Sequence, residues 1–189
     1  VQPYGRRSQP FYFFNRYDRA TVAQTWQVLR SEFDQMLLDN AREKGVVVQE
    51  QTTVKDLIWE GPRVVGVRAQ DQTGQITEQR APITLDCSGK EAFTAVRNHW
   101  RTKDPFLNKV AVWTYYKGAK RDEGIDAGAT TVAYVPEKGW FWYIPQHNDM
   151  ISVGVVAEGK YLTRGGIKES EAIFKREIEQ NKWIKDHLA

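Results

Sequence analysis

The sequence has little of what several large classes of protein require. One cysteine, Cys87, occurs in 189 residues, which excludes an internal disulfide and is compatible with a reducing compartment such as the cytoplasm. The three histidines lie at positions 99, 147 and 187, too far apart to indicate a metal site. No run of 18 apolar residues and no visible signal peptide occurs, so we expect a cytoplasmic protein without a membrane span.

The low net charge and the absence of several short motifs exclude further classes of site. The net charge is only +3 and no run of five like charges occurs, so no nucleic-acid surface is expected. The motifs GxGxxG, GxxxxGKS/T, HExxH, GxSxG and CxxC are all absent. Two adjacent glycines in TRGGIKES fit neither phosphate-binding spacing and predict a loop before a helix.

Aromatic residues, in contrast, are abundant: 7 Trp, 8 Tyr and 8 Phe. Hydrophobic residues make up 41% of the chain, enough for a globular core. Aromatic side chains fill cores and also line sites for flat ligands. Composition by itself favours the core.

The spacing of apolar residues predicts a mixture of helices and strands. A helix is expected from about Ser31, as its N-cap, to Lys44, with Gly45 closing it. Short helices are expected at KEAFTAVRNHW and, with an amphipathic pattern, from about Ile167 to the end of the sequence.

Two sets of strands are predicted. Short strands are expected for FYFF at 11–14 and for the valines at 46–48, and a three-stranded meander follows in TVKDLIW, RVVGVRAQ and QITEQRAPITLDCSG. Further on, KVAVWTYYKGA predicts a strand, and the stretch from Thr130 to Ala157 predicts three antiparallel strands.

The segment WFWYIP places four aromatic residues in succession. In a strand, Trp140, Trp142 and Ile144 would share one face and Phe141 and Tyr143 the other. The following proline ends the ladder, and strand ends lie at the rims of pockets. The segment is therefore either the centre of a core or one wall of a ligand site.

Two further places could contact a ligand. In ITLDCSGK, Asp86 precedes small residues and a glycine, an arrangement that fits a plain tight turn and a ligand-facing turn equally well. Arg30 could donate to phosphate or carbonyl oxygens, but its spacing favours a surface pair with Glu32 or Asp34.

Three of these stretches together resemble a known family. GWFWYIP matches the WxWxIP motif of flavin-dependent halogenases through Trp140, Trp142, Ile144 and Pro145. LDCSG is similar to that family's D-A-S-G turn, with Cys87 in place of alanine, and WQVLRSEFDQMLLDNAREKGV looks like one of its helices. The chain thus resembles the tryptophan-halogenase-like enzymes of the p-hydroxybenzoate-hydroxylase-like flavoprotein superfamily over most of residues 25 to 160.

The resemblance implies a cofactor, a reaction and partners. FAD would be bound with the help of Arg30, Asp86, Ser88 and Gly89, and the WxWxIP residues would wall the reaction site. Reduced flavin, oxygen and halide would give hypohalous acid, which halogenates an electron-rich substrate. The implied partners are a flavin reductase, halide and an aromatic substrate, either a free small molecule or bound to a carrier protein; no metal, nucleic acid or membrane is implied.

The resemblance also implies that the sequence is an interior part of a longer protein. The family's GxGxxG and catalytic lysine are then expected before Val1, because the first lysine here is Lys44, within the predicted helix. Two other interpretations stay open: a flavin monooxygenase or geranylgeranyl-reductase-like enzyme on the same scaffold, and a non-catalytic module that holds a flat ligand on its aromatic strand.

The expected fold class is α+β. Residues 1–29 are expected to be strands of a substrate domain, and 30–100 to be part of a Rossmann-like FAD-binding domain that carries the meander. Residues 101–189 are expected to form a mostly antiparallel substrate-binding sheet covered by helices.

Overall fold

The computed structural model describes residues 26–124, 127–135 and 138–189, and these form two compact units. One unit comprises the described residues up to Gln35 together with Pro105–Ala189, and the other is Met36–Asp104. Both helices and antiparallel sheets are present, which confirms the α+β class. The predicted strand at 11–14 lies outside the described residues.

The first helix, α1, spans Arg30–Glu43, close to the predicted range. Its hydrogen-bond ladder begins at Leu29, two residues before the expected N-cap, since the Phe33 amide donates to the Leu29 carbonyl at 3.0 Å. Ser31 therefore lies inside the first turn, and its prediction as the N-cap is wrong.

The predicted end of α1 at Gly45 is confirmed. Gly45 has a φ of 85°, in the left-handed region that glycine adopts without a steric penalty. Its amide donates to the Arg42 carbonyl at 2.9 Å, and the Val46 amide donates to the Ala41 carbonyl at 3.0 Å. This is the double hydrogen bond with which many helices end.

The three-stranded meander is confirmed in the unit Met36–Asp104. Strands β1 (Thr53–Glu60), β2 (Arg63–Gln70) and β3 (Ile76–Arg80) pair antiparallel in the order β1-β2-β3. Beyond β3, a short 3-10 turn at Gly89–Glu91 leads into helix α2 (Phe93–Arg97), as the sequence predicts.

Among the described residues of this unit, one predicted apolar strand is absent and another is shorter than predicted. The valines at 46–48 form no strand, and Val47 is 86% exposed. The third meander strand ends at Arg80 instead of continuing to Asp86, and Leu85 is 79% exposed. A buried strand needs neighbouring strands to pair with its backbone, and no described strand flanks either stretch.

The second unit is built on a four-stranded antiparallel sheet. Its strands are β4 (Lys109–Lys117), β5 (Thr131–Val135), β6 (Gly139–Pro145) and β7 (Met150–Glu158), in the order β4-β7-β6-β5. The three consecutive antiparallel strands predicted between Thr130 and Ala157 are β5, β6 and β7, so that prediction is confirmed.

Helices cover one face of this sheet. They are α3 (Gly159–Leu162), α4 (Ser170–Gln180) and α5 (Lys182–Leu188). Alternate residues of β6 and β7 point into the layer between sheet and helices, where Phe141 packs against Phe174 with ring centroids 6.2 Å apart. The apolar stripe predicted for the C-terminal helices lies in this core: Ile173, Phe174, Ile178 and, half-buried, Trp183.

No helix within the described residues is both long and apolar enough to cross a membrane.

Candidate functional site

The WxWxIP segment forms β6, and its side chains alternate between the two faces of the sheet as predicted. Phe141 and Tyr143 lie under the helices and are 1% and 2% exposed. Burial also raises the pKa of the Tyr143 phenol to about 12. Trp140, Trp142 and Ile144 point to the opposite face, which the described helices leave open, and Trp140 is 39% exposed. Three of the four motif residues therefore belong to the uncovered face, whereas Pro145 is buried.

The open side of the sheet carries a continuous group of aromatic rings, which we call the aromatic face. Strand register places Trp113 of β4 and Trp142 of β6 on either side of Gly154 of β7, all pointing the same way. The next pair along β6 and β5 is Trp140 and Tyr134. The members of the aromatic face are Trp113, Tyr115, Tyr134, Trp140 and Trp142.

The indole of Trp142 has defined partners on β7. Its Nε1 donates to the Ser152 hydroxyl at 3.1 Å. The ring also lies over Gly154, where an added β-carbon would come within 2.3 Å of it. At the end of the strand, Pro145 is buried opposite Ile151 and is the last residue of β6, which confirms the predicted end of the ladder.

Arg30, predicted to help bind the cofactor, occupies the first turn of α1. Its Nε and Nη2 donate to the two carboxylate oxygens of Asp34, each at 2.9 Å, and these hydrogen bonds hold the pKa of Asp34 below its usual range. The other partner considered from the sequence, Glu32, binds Nε2 of His147 at 2.8 Å instead. The Arg30 side chain nevertheless stays 74% exposed, so it is accessible to a ligand, and its cofactor role stays a prediction.

The turn after residue 85 is organised by Asp86. One carboxylate oxygen accepts from the amide and the hydroxyl of Ser88 at 3.0 and 2.6 Å, and the other accepts from the Thr94 amide at 2.7 Å. The Ser88 hydroxyl in turn accepts from the Phe93 amide at 2.8 Å. The carboxylate thus links the turn to the start of α2, and its acceptor sites are directed inward, toward the protein.

The geometry of this turn fits a surface that faces a cofactor. Asp86, Ser88 and Gly89 are all exposed, and Gly89 has a φ of 60° with no atom within 4 Å of where a β-carbon would lie. A ligand could therefore approach the backbone closely here. Asp86 would act by shaping the turn, while the exposed backbone around Ser88 and Gly89 would contact the ligand.

Acid titration should leave this turn intact at a pH where an ordinary aspartate is protonated. Hydrogen bonds from the Ser88 hydroxyl, the Ser88 amide and the Thr94 amide hold the pKa of Asp86 far below its usual range. Because the pKa is lowered in the folded state, the stabilisation is fully present above the unfolded pKa of about 4 and is lost progressively as the pH falls from there through the lower folded value, where the carboxylate itself becomes protonated.

We therefore expect the amide NMR resonances of Ser88 and Thr94 to keep their neutral-pH positions as the pH falls through about 4. The Asp86→Asn variant serves for comparison, because an amide NH2 replaces one carboxylate oxygen. Both resonances should be shifted in this variant already at neutral pH. A midpoint near the usual aspartate pKa in the unchanged protein would contradict the inward-directed carboxylate.

Two pockets among the described residues are lined by none of the predicted site residues. One, of about 430 Å³, is lined by β5, α3 and α4 and includes Tyr134, Tyr161 and Glu177. The other, of about 330 Å³, lies beside the meander between Arg63 and Arg80. Within the described ranges, no three His, Cys, Asp or Glu side chains are grouped so that they could hold a metal ion.

Sequence reasoning missed part of the aromatic face. Trp113 and Tyr115 alternate with Thr114 on β4, a pattern that could have placed them on one face, but the pairing of β4 with β7 was needed to place them beside Trp142. Gly154 carries a signal that was overlooked, because an isolated glycine inside an apolar strand often marks a close approach by another group.

Comparison with known proteins shows which family this chain resembles. The family model described as tryptophan halogenase matches residues 8–185. A 1H-pyrrole-2-carbonyl-(peptidyl-carrier protein) brominase of Pseudoalteromonas luteoviolacea (strain 2ta16) is 37% identical over 139 residues, 71% of this chain and 33% of that protein. A tryptophan 2-halogenase of Chondromyces crocatus is 36% identical over 136 residues, 70% of this chain and 26% of that protein.

Solved structures show the same likeness. The structure of the flavin-dependent brominase Bmp2 has a TM-score of 0.76 and 30% identity, covering 87% of this chain and 41% of that one. The myxobacterial chondrochloren halogenase CndH, described as an FAD-dependent halogenase, has a TM-score of 0.73 and 33% identity over 87% of this chain and 37% of that one. The chain spans about a third or less of the length of the two curated relatives. The match over residues 8–185 shows that this chain belongs to the tryptophan halogenase family.

Proposed function

We propose that the protein containing this chain is an FAD-dependent halogenase that halogenates an electron-rich organic substrate. The observation that carries this proposal is the position of the WxWxIP indoles: Trp140 and Trp142 lie on the uncovered face of the sheet, where a cofactor or substrate could reach them. A motif buried in the core would have offered no such surface.

The proposed cofactor-binding residues are Arg30 and the turn at Asp86, Ser88 and Gly89. Arg30 donates to FAD oxygens, and the turn presents its backbone to the dinucleotide. Bound there, reduced FAD would supply the two electrons that reduce oxygen to the peroxide level, at which oxygen can oxidise halide to hypohalous acid. The residue ranges 30–100 and 101–189 are proposed as the cofactor and substrate parts, and the compact unit Met36–Asp104 with its meander supports the first of these.

The chain's own contribution is a rigid apolar wall. Trp142 uses its N–H on Ser152, so its exposed surface offers a ligand only apolar and π contacts. Trp140 and Ile144 extend that surface along β6, and Pro145 ends it. Such a wall excludes water and keeps organic substrate from the cofactor, so that halide reacts there first.

The substrate and the partners are proposed only as broad chemical classes. One relative is named for a carrier-bound pyrrole and another for tryptophan, so both a carrier-bound and a free aromatic substrate fit. Halide and a flavin reductase that supplies reduced flavin complete the proposed set, and the cytoplasm is the proposed location.

Incubating the full-length protein with reduced flavin, oxygen and an electron-rich aromatic compound tests the proposal. We expect bound flavin that absorbs at about 450 nm, and a halogenated product that forms only when chloride or bromide is present. Hydroxylated product without halogenation would favour a flavin monooxygenase, and a preparation that binds aromatic compounds but no flavin would favour a non-catalytic module.

A further inference from the structure

Strand β7, which lies between the two tryptophan-bearing strands, has an unusual composition on its open side. Its residues there include Ser152, Gly154 and Val156, of which the first two lie next to Trp142. On its covered side the same strand carries only apolar residues in contact with the core: Ile151, Val153, Val155 and Ala157. The small residues next to Trp142 therefore lie on the face that carries the WxWxIP indoles.

Gly154 is required because the Trp142 ring occupies the space of a side chain. A β-carbon at position 154 would lie 2.3 Å from Cζ2 and 2.5 Å from Cη2 of Trp142, and 2.6 Å from Cβ of Trp113. Contacts this short cannot be tolerated, so any larger residue would displace the Trp142 indole and also Trp113 on the neighbouring strand. Gly159, immediately after β7, differs in this respect, because its β-carbon would meet only Val110 at an ordinary 3.5 Å.

Ser152 determines which of two ring orientations the Trp142 indole adopts. The second side-chain torsion of tryptophan is broad and roughly two-fold, so packing alone permits a flipped ring. The Ser152 hydroxyl, in a residue that is 8% exposed, accepts the Trp142 N–H at 3.1 Å. A half-buried indole N–H without an acceptor is unfavourable, and this hydrogen bond therefore stabilises one orientation over the other.

The two residues act on the same ring from the same strand. Gly154 sets how close the indole comes to the sheet, and Ser152 sets its rotation. We propose that Ser152 and Gly154, together the Trp142 seat, are positioning residues that hold this indole flat and in one orientation at the reaction site. The effect of the Trp142 seat on catalysis rests on the proposed function. The contacts that form the seat do not depend on it.

The experiment uses the full-length protein and four variants: Ser152→Ala, Ser152→Thr, Gly154→Ala and, as the matched control, Gly159→Ala. Near-UV circular dichroism reports the asymmetric environment of the indole, and the Trp142→Phe variant identifies its band by difference. Product analysis gives the ratio of halogenated to hydroxylated product and the KM for the organic substrate.

Ser152→Ala is expected to change the Trp142 band and to lower the product ratio about tenfold, since a small displacement of a positioned group costs that much or more. The KM should stay within about twofold, because Ser152 is only 8% exposed and the Trp142 ring covers Gly154, so that both act through the indole. Ser152→Thr retains a hydroxyl acceptor and should restore both readouts, and Gly159→Ala should match the unchanged protein. Gly154→Ala should alter the band more strongly than Ser152→Ala.

The outcomes separate the two hypotheses. If the unchanged protein forms no halogenated product, the proposed function fails, while the Trp142 band still decides whether the seat exists. If Ser152→Ala leaves the band unchanged, the seat is overturned; if the band changes but the product ratio does not, its positioning role is overturned. Should Gly154→Ala fail to fold, the alanine and threonine variants of Ser152 decide the matter.

Discussion

Replacing Trp142 with alanine in the full-length protein is expected to lower the yield of halogenated product about a hundredfold, the scale on which misplacing groups at a reaction site reduces rates. The ring covers Gly154 and lies beside Trp113, so its removal opens the aromatic face down to the sheet backbone. Substrate and water can then reach the cofactor, and hydroxylated product should rise as halogenated product falls.

Trp140→Ala should have the same sign and a smaller size. Trp140 is 39% exposed and pairs across the strands with Val156 and Tyr134, which would still cover part of the sheet. Trp59→Ala is the matched control, because Trp59 is a strand residue of comparable exposure, 42%, that belongs to the meander. Product analysis with and without bromide, at equal amounts of bound flavin, gives the yields of halogenated and hydroxylated product for all three variants.

A Trp142→Ala protein that binds flavin and halogenates as well as the unchanged protein would contradict the role of the aromatic face as a wall. Loss of activity in Trp59→Ala to the same extent would show that the effect is one of stability. The melting temperature of each variant separates these outcomes.

Glu177→Gln is expected to lower the local free energy of unfolding by about 3 kcal/mol, the usual cost of removing one partner from a buried ion pair. Glu177 lies on α4, is 1% exposed and forms ion pairs with Arg164 at 2.7 Å and with Arg176 at 2.8 Å, and Nε of Arg176 also donates to its carboxylate at 2.9 Å. Its substitution leaves two guanidinium groups facing a neutral amide in a largely buried position.

The two arginines also connect α4 to the segment that follows β7. Arg164 donates to the Tyr161 carbonyl at 2.8 Å, and Arg176 donates to the carbonyls of Leu162 and Arg164 at 2.6 and 2.9 Å. Loss of the central carboxylate therefore weakens the attachment of this segment to the helix. That helix layer supports the sheet from its covered side, opposite the WxWxIP indoles.

Hydrogen exchange of the α4 amides measures this effect within the full-length protein. We expect exchange about a hundredfold faster in Glu177→Gln, the equivalent of about 3 kcal/mol. Glu171→Gln on the same helix is the control: Glu171 pairs with Lys175 at 2.6 Å, but both side chains are more than two-thirds exposed, so little change is expected. Equal rates in the two variants would show that the buried network contributes no more than a surface pair.

Much of the site could be predicted because it depends on short-range rules. Strict alternation in β6 separates Trp140 and Trp142 from Phe141 and Tyr143 whatever the rest of the chain does. In the same way, Gly45 ends α1 because only a few neighbouring backbone groups are involved. The turn residues between the meander strands act over similarly short distances.

Apart from the N-cap of α1, the failures concern strands that need distant partners. The valines at 46–48 and the stretch before Asp86 have the composition of buried strands, yet Val47 and Leu85 within them are exposed in the described structure. Apolar composition expresses only a tendency to be buried, whereas a strand exists only when a neighbour satisfies its backbone groups. That neighbour cannot be read from the stretch itself.

The sequence by itself determined which residues of the WxWxIP segment share a face, and its motif indicated the family. Only the tertiary structure decided which of the two faces the helices cover, and that Ser152 and Gly154 lie beneath Trp142. The physical reason is that alternation is a property of one strand. Which face is covered, and which residue lies opposite an indole, depend on the register and packing of segments far apart in the chain.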